Sequence, residues 1–367
     1  MSDDDDRILD AIATLVPPLL GALEALRHLA RHMDPAGIAD HLAAIGAPEV
    51  ALREALAPFR SLGWPDHLMA FRDHLTLAAE TTIQAFEGLC AAIAAPDGLR
   101  QAFGAIRLLP RALAALYPLT TALPVISRFF LEPDRREDTA LLARLRDANP
   151  APANTGILHI DNDRKTRGGV SIYVPEYYDA AKTYPLVMAL HGGTGHGSAF
   201  LWSWVVAART HGAIVLAPTA WGDTWSLMGP DLDSENLAEK LQFARKTWNI
   251  DPARLLLTGM SDGGTFTLLS GLQTDSPFTH LAPCAASFHP MLVEFAEPSR
   301  LAGLPIHLTH GALDWMFPVR TGRMAAQSLA GGGAKITYRE IEDLSHVYPV
   351  DENPNLLEWL MASSGTG

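Results

Sequence analysis

The hydrophobic period of this chain changes near residue 150, so one layer architecture cannot serve both halves. Before that point apolar residues recur three and four apart. Leu68, Phe71, Leu75, Ala78, Ala79, Ile83, Phe86 and Leu89 mark one face of a long helix. Strand-like alternation is nearly absent there, and Pro35, Pro48, Pro65, Pro96, Pro118 and Pro133 punctuate the stretch at positions suited to starting new helices. Residues 1–147 are therefore expected to be an all-α domain of roughly six to eight helices. The small, Pro-rich stretch 148–155 reads as a semi-rigid linker, and 156–367 as a second domain. A chain of 367 residues exceeds what one core usually holds, which fits two folding units.

After the linker, short apolar runs alternate with helical stretches. Strands are expected at 157–160, 170–174, 186–190, 214–217, 255–258, 282–287, 306–309 and 336–341, with helices at 199–210, 235–248, 265–272, 320–329 and 355–362. Crossover helices between such strands specify an α/β fold, a mainly parallel eight-stranded sheet covered on both faces.

Composition removes several function classes. A formal net charge of −13 argues against a nucleic-acid surface, because neutralising phosphates needs clustered Lys and Arg. Cys90 and Cys284 are too few for a disulfide framework and lack the paired spacing of a zinc site, which fits a reducing compartment. Met1-Ser2 followed by Asp3 to Asp6 lacks the positive start of a secretory leader, so a cytoplasmic location is expected. The apolar stretch 8–26 is interrupted by Asp10, Pro17, Pro18 and Glu24, and is read as an amphipathic helix with no transmembrane span. The acidic run ahead of it is read as helix-start charge.

The most informative residues follow the fifth expected strand: Gly259-Met260-Ser261-Asp262-Gly263-Gly264. Between a strand and a helix, a G-x-S-x-G pattern permits a sharp turn that exposes the Ser hydroxyl at the carboxyl edge of the sheet. A serine hydroxyl is a weak nucleophile and requires a base, which in turn requires a group to orient it. Asp314 ends the run His310-Gly311-Ala312-Leu313-Asp314 after the seventh strand, and His346 follows the last strand. The chain order Ser261, Asp314, His346 is then complete. Asp343 and Asp351 neighbour His346 and compete with Asp314 for the acid role, but suit loop capping better. Backbone N–H groups of Gly193, in Leu190-His191-Gly192-Gly193-Thr194-Gly195, and of Asp262 are assigned to an oxyanion hole, with Thr194 as the alternative to Gly193.

In combination these motifs make residues 156–363 resemble the α/β-hydrolase superfamily, closest in pattern to the phospholipase/carboxylesterase and dienelactone-hydrolase-like serine esterases. The resemblance implies Ser261 as nucleophile, His346 as base, Asp314 as orienting acid, and hydrolysis of a carboxylic ester without cofactor or metal. Where many of those relatives carry a neutral Gln after the serine, this chain has Asp262, whose charge the helix N-terminus partly offsets. The expected partner is a small-molecule ester of small to medium acyl length. The alternatives are a polyester or feruloyl-type esterase, or a catalytically silent fold that binds a ligand.

Trp225, Phe288 and Trp315 sit in loops expected at the catalytic edge and are taken as a substrate pocket, with Trp221, Met228, His289 and Phe317 nearby. Only a short connection separates the sixth and seventh strands, which leaves no room for a large lid. The N-terminal helices match no family known to us. They are expected to cover the cleft or to build a homo-oligomer interface, or else to stand apart as a separate module.

Overall fold

The computed structural model describes residues 3–148 and 151–362, which form two compact units, Met1–Arg136 and Glu137–Gly367. In the first unit α1 (Asp3–Arg31) is followed by α2 (Ile38–Ile45), α3 (Pro48–Ser61), α4 (Met69–Ile93), α5 (Gly98–Ile106), α6 (Leu109–Leu116) and α7 (Pro124–Phe129). Leu15, Leu19, Leu23, Leu26 and Leu29 form a buried stripe on α1, which packs on α3 and α4. α4 also carries the contacts to α5 and α6, burying Leu75, Phe86 and Leu89.

The interrupting polar and Pro residues do not disqualify α1 as a span on composition alone. An 18-residue window within Asp5–Arg31 reaches a mean hydropathy of 1.6, and among the described residues this is the one helix long and apolar enough to cross a membrane. In the folded unit its apolar stripe is spent on helix packing, as in the core helix of a bundle.

Of the linker expected at 148–155, residues 149 and 150 lie outside the described residues. The packing break falls earlier, between Arg136 and Glu137, and α8 (Thr139–Asp147) goes with the second unit. Asp138 caps α8, its carboxylate accepting from the N–H groups of Ala140 and Leu141. Arg144 then lies 4.7 Å over the Tyr177 ring.

The second unit is built on eight strands: β1 (Gly156–Ile160), β2 (Val170–Val174), β3 (Tyr184–Leu190), β4 (Ile214–Pro218), β5 (Ile250–Met260), β6 (His280–Cys284), β7 (Pro305–Gly311) and β8 (Lys335–Ile341). Their order is β1-β2-β4-β3-β5-β6-β7-β8, with β2 antiparallel to both its neighbours, β1 and β4, and every other neighbouring pair parallel. β3 is buried along its whole length, so it reads as a continuous apolar run, whereas the edge strand β8 alternates between exposed and half-buried residues. The helices are α9 (Gly197–Phe200), α10 (Val205–His211), α11 (Asp233–Thr247), α12 (Asp262–Gly271), α13 (Met291–Phe295), α14 (Pro298–Leu301), α15 (Arg320–Gly331) and α16 (Asn353–Ala362). The connection between β6 and β7 holds only the short α13 and α14, consistent with the absence of a large lid there. Parallel pairing brings the carboxyl ends of β3, β5, β6, β7 and β8 to one edge, where loops carry the candidate chemistry.

Candidate active site

Ser261 occupies the turn between β5 and α12 in a conformation that side chains rarely adopt, with φ 57° and ψ −118°. The surroundings enforce it. Ser261 N–H donates to the Cys284 carbonyl at 2.9 Å, fixing the turn to the end of β6. A Cβ on Gly263 would come within 2.5 Å of the carbonyl oxygens of Leu190 and His191, so only glycine lets α12 begin against β3. Gly192 lies on the other side, where an added Cβ would stand 3.6 Å from that of Ser261. The Gly-rich turn after β3 and the serine elbow are thus direct neighbours.

The three residues expected as a triad come together. The Ser261 hydroxyl lies 3.0 Å from His346 Nε2, and His346 Nδ1 lies 2.9 Å from Asp314 Oδ2. Because a carboxylate faces Nδ1, that nitrogen carries the proton and leaves Nε2 as acceptor for the serine. The other Asp314 oxygen accepts from the N–H groups of Met316 and Phe317 at 2.9 and 2.7 Å. Burial alone would raise the Asp314 pKa. The hydrogen bonds from His346 and Phe317, helped by the imidazoles of His346 and His310, outweigh it and hold the carboxyl below its usual range. All three side chains are buried.

Gly193 lies beneath the Asp262 side chain: an added Cβ would meet Asp262 Oδ2 at 2.6 Å. The same oxygen accepts from Thr224 Oγ1 at 2.6 Å. Thr194, the alternative donor, has its N–H engaged with the Asp223 carbonyl at 2.9 Å. Among the described residues the N–H groups of Gly193 and Asp262 find no acceptor in the protein.

The aromatic residues divide. Trp315 is 44% exposed and stands edge-on to His346 at 6.1 Å, with Phe317 on the same imidazole at 5.3 Å. Trp225 and Phe288, expected in the pocket wall, are buried in the core of the sheet instead. Trp225 stacks on Phe266 and donates its Nε1–H to the His191 carbonyl at 2.7 Å, which makes it a strut for the Gly-rich turn. His191 serves the same turn. It bonds the Gly192 carbonyl through Nδ1 and accepts from Ala220 N–H, and burial pushes its pKa down to about 4. Exposed His289 lies in the loop after β6 and makes a hydrogen bond to Met291 N–H.

Two organising residues were not anticipated. Arg167 bonds the carbonyls of Gly195 and Gly222 and ties the loop after β3 to the loop after β4. Buried Asp233 accepts from Trp221 N–H, Ser226 N–H and Ser226 Oγ, and so shapes the loop that carries Thr224. Neither lies in a recognisable motif, because each acts on backbone groups that only the fold brings near.

The strand order, the strained serine elbow and the Ser-His-Asp chain settle the architecture. The second unit has the α/β-hydrolase fold. Residues 233–363 of this chain match the phospholipase/carboxylesterase family, and the N-terminal unit lies outside the match. A bifunctional acetylxylan esterase/xylanase of Neocallimastix patriciarum is 28% identical over 159 residues, which covers 42% of this chain. The match spans only 23% of that relative's length. Among solved structures, a thermostable esterase aligns at 23% identity and TM-score 0.46 over 56% of this chain and 62% of its own. A ferulic acid esterase aligns at 15% identity and TM-score 0.46 over 57% and 99%.

Proposed function

We propose that this protein is a serine ester hydrolase acting through an acyl-enzyme. The observation that carries the reading is the continuous chain from Ser261 Oγ through His346 to Asp314 on a strained elbow. Ser261 Oγ attacks the ester carbonyl carbon while His346 Nε2 takes its proton. The N–H groups of Gly193 and Asp262 receive the developing oxyanion. Collapse breaks the bond to the alcohol oxygen, which leaves with the proton from His346 and gives an ester of Ser261. Water, deprotonated by His346, then releases the acid and restores the hydroxyl. Asp314, ionised throughout, holds the imidazole tautomer and stabilises its charged form.

The exposed Trp315 beside His346 supports an acyl or alcohol group of small to medium size resting on its ring. The test is a panel of p-nitrophenyl acyl esters of increasing length, with and without a serine-reactive phosphonate. Ser261→Ala should fold normally and lose several orders of magnitude in turnover, and the phosphonate should label only the wild type. Near-full activity in folded Ser261→Ala would sink the mechanism.

A further inference from the structure

The residue after the nucleophile contributes more than its backbone N–H. Asp262 Oδ2 is pinned by the Thr224 hydroxyl at 2.6 Å and lies against Gly193, on the turn that carries the other oxyanion donor. Its second oxygen, Oδ1, has no hydrogen-bond donor among the described residues, and the residue is half-buried directly after Ser261. A carboxylate accepts and never donates. It therefore attracts a hydroxyl or ammonium group and repels a second carboxylate, most strongly where burial lowers the dielectric. Thr224 holds the group in one place, so the preference attaches to the atoms next to the scissile carbonyl.

We infer that Asp262 is a specificity-determining residue that selects esters bearing a hydrogen-bond donor near the carbonyl and excludes esters bearing a carboxylate there. The inference rests on the ester-hydrolase reading above and deepens it. Cost and benefit are separable: the negative charge disfavours the oxyanion of every substrate, but only donor-bearing substrates recover that loss by bonding to Oδ1. Acetylated carbohydrates and hydroxyacyl esters both carry such donors, on the alcohol and the acyl side respectively.

The test compares kcat/KM for p-nitrophenyl butyrate, 3-hydroxybutyrate and hemisuccinate, and for glycerol monoacetate against propyl acetate, in wild type, Asp262→Asn and Thr224→Val. Asparagine keeps the shape and the bond from Thr224 while removing the charge. The wild type should take hemisuccinate at least about tenfold less well than butyrate. Asp262→Asn should remove most of that gap, and the wild-type gap should shrink in high salt. The hydroxyl preference should fall about three- to tenfold in Asp262→Asn, in the acyl pair or the alcohol pair according to which side of the ester faces Oδ1. Thr224→Val should keep the exclusion of hemisuccinate and weaken the hydroxyl preference, since the charge remains but is no longer fixed. Substrate ratios within twofold of wild type in folded Asp262→Asn would overturn the inference while leaving the esterase reading intact. Failure of the wild type to hydrolyse any ester through Ser261 would overturn both.

Discussion

At the level of single residues, the sequence marked the groups proposed to react but not those that hold them. Ser261, Asp314 and His346 were legible because each closes a strand in a motif whose chain order has a chemical reason. Arg167 and Asp233 were not, since their partners are backbone groups of loops distant in sequence. The Asp314 geometry makes a sharp prediction. In Asp314→Asn the amide oxygen would keep the N–H groups of Met316 and Phe317, turning the NH2 toward His346 Nδ1. The imidazole would then carry its proton on Nε2 and could not accept from Ser261. Turnover should fall roughly 10³–10⁴-fold with little change in Tm, measured by ester kinetics and calorimetry.

His191 supplies a pH prediction. Its folded pKa of about 4 lies below the ordinary 6.5, because burial penalises the charged ring. The unfolded chain therefore takes up the proton first as pH falls. Stability is fully present above about pH 6.5 and declines toward pH 4, by roughly 2–3 kcal/mol for this residue. The depressed pKa of Asp314 acts lower, its contribution being lost only as pH falls below the usual carboxylate range. Tm measured between pH 7 and 4 should fall more steeply in wild type than in His191→Gln, which cannot titrate. Equal slopes would remove His191 from the account.

At the level of elements, the sheet was readable strand by strand because fully buried parallel strands appear as short continuous apolar runs. The helix expected at 199–210 is instead two short helices, α9 and α10, separated by a 3₁₀ turn at Leu201–Ser203. Apolar periodicity continues across that break, so it gave no signal. Glycines were equally ambiguous, since their spacing in sequence does not say what lies beside them. Gly263 faces the carbonyls of Leu190 and His191, whereas nothing stands within 4 Å of a Cβ at Gly104 in the interior of α5. One substitution should thus act with opposite sign at the two sites. Gly263→Ala should cost about 1–3 kcal/mol by forcing α12 from β3, and should impair turnover through the displaced elbow. Gly104→Ala should stabilise its helix by about 0.5–1 kcal/mol. Chemical denaturation of both variants checks the pair, and a stable Gly263→Ala with normal kinetics would contradict the elbow argument.

At the level of the whole molecule, the hydrophobic period changes near residue 150, whereas the chain divides into compact units at Arg136. Composition marks where the chain is Pro-rich, while packing decides which helix belongs to which core. The boundary falls at Arg136, and α8 is counted with the α/β-hydrolase unit. There Arg144 lies on the Tyr177 ring, and Tyr177 in turn donates its hydroxyl to the Arg209 carbonyl at 2.7 Å. Arg209 closes the network through a buried ion pair with Glu176 at 2.9 Å, and Glu176 also accepts from the Tyr173 hydroxyl. A chain beginning at Asn154 loses the guanidinium that covers Tyr177, whereas one beginning at Glu137 keeps it together with the Asp138 cap. The Glu137 start should therefore be the more stable of the two by at least about 0.5–1 kcal/mol, the contribution of an exposed cation–π contact. Both retain Ser261, Asp314 and His346, so any difference in ester turnover at low temperature should be small beside the difference in Tm. Arg144→Ala in the Glu137 chain should reproduce part of that Tm loss. Equal Tm values for the two starts would show that α8 contributes nothing to the catalytic unit and would return the functional border to the Pro-rich stretch.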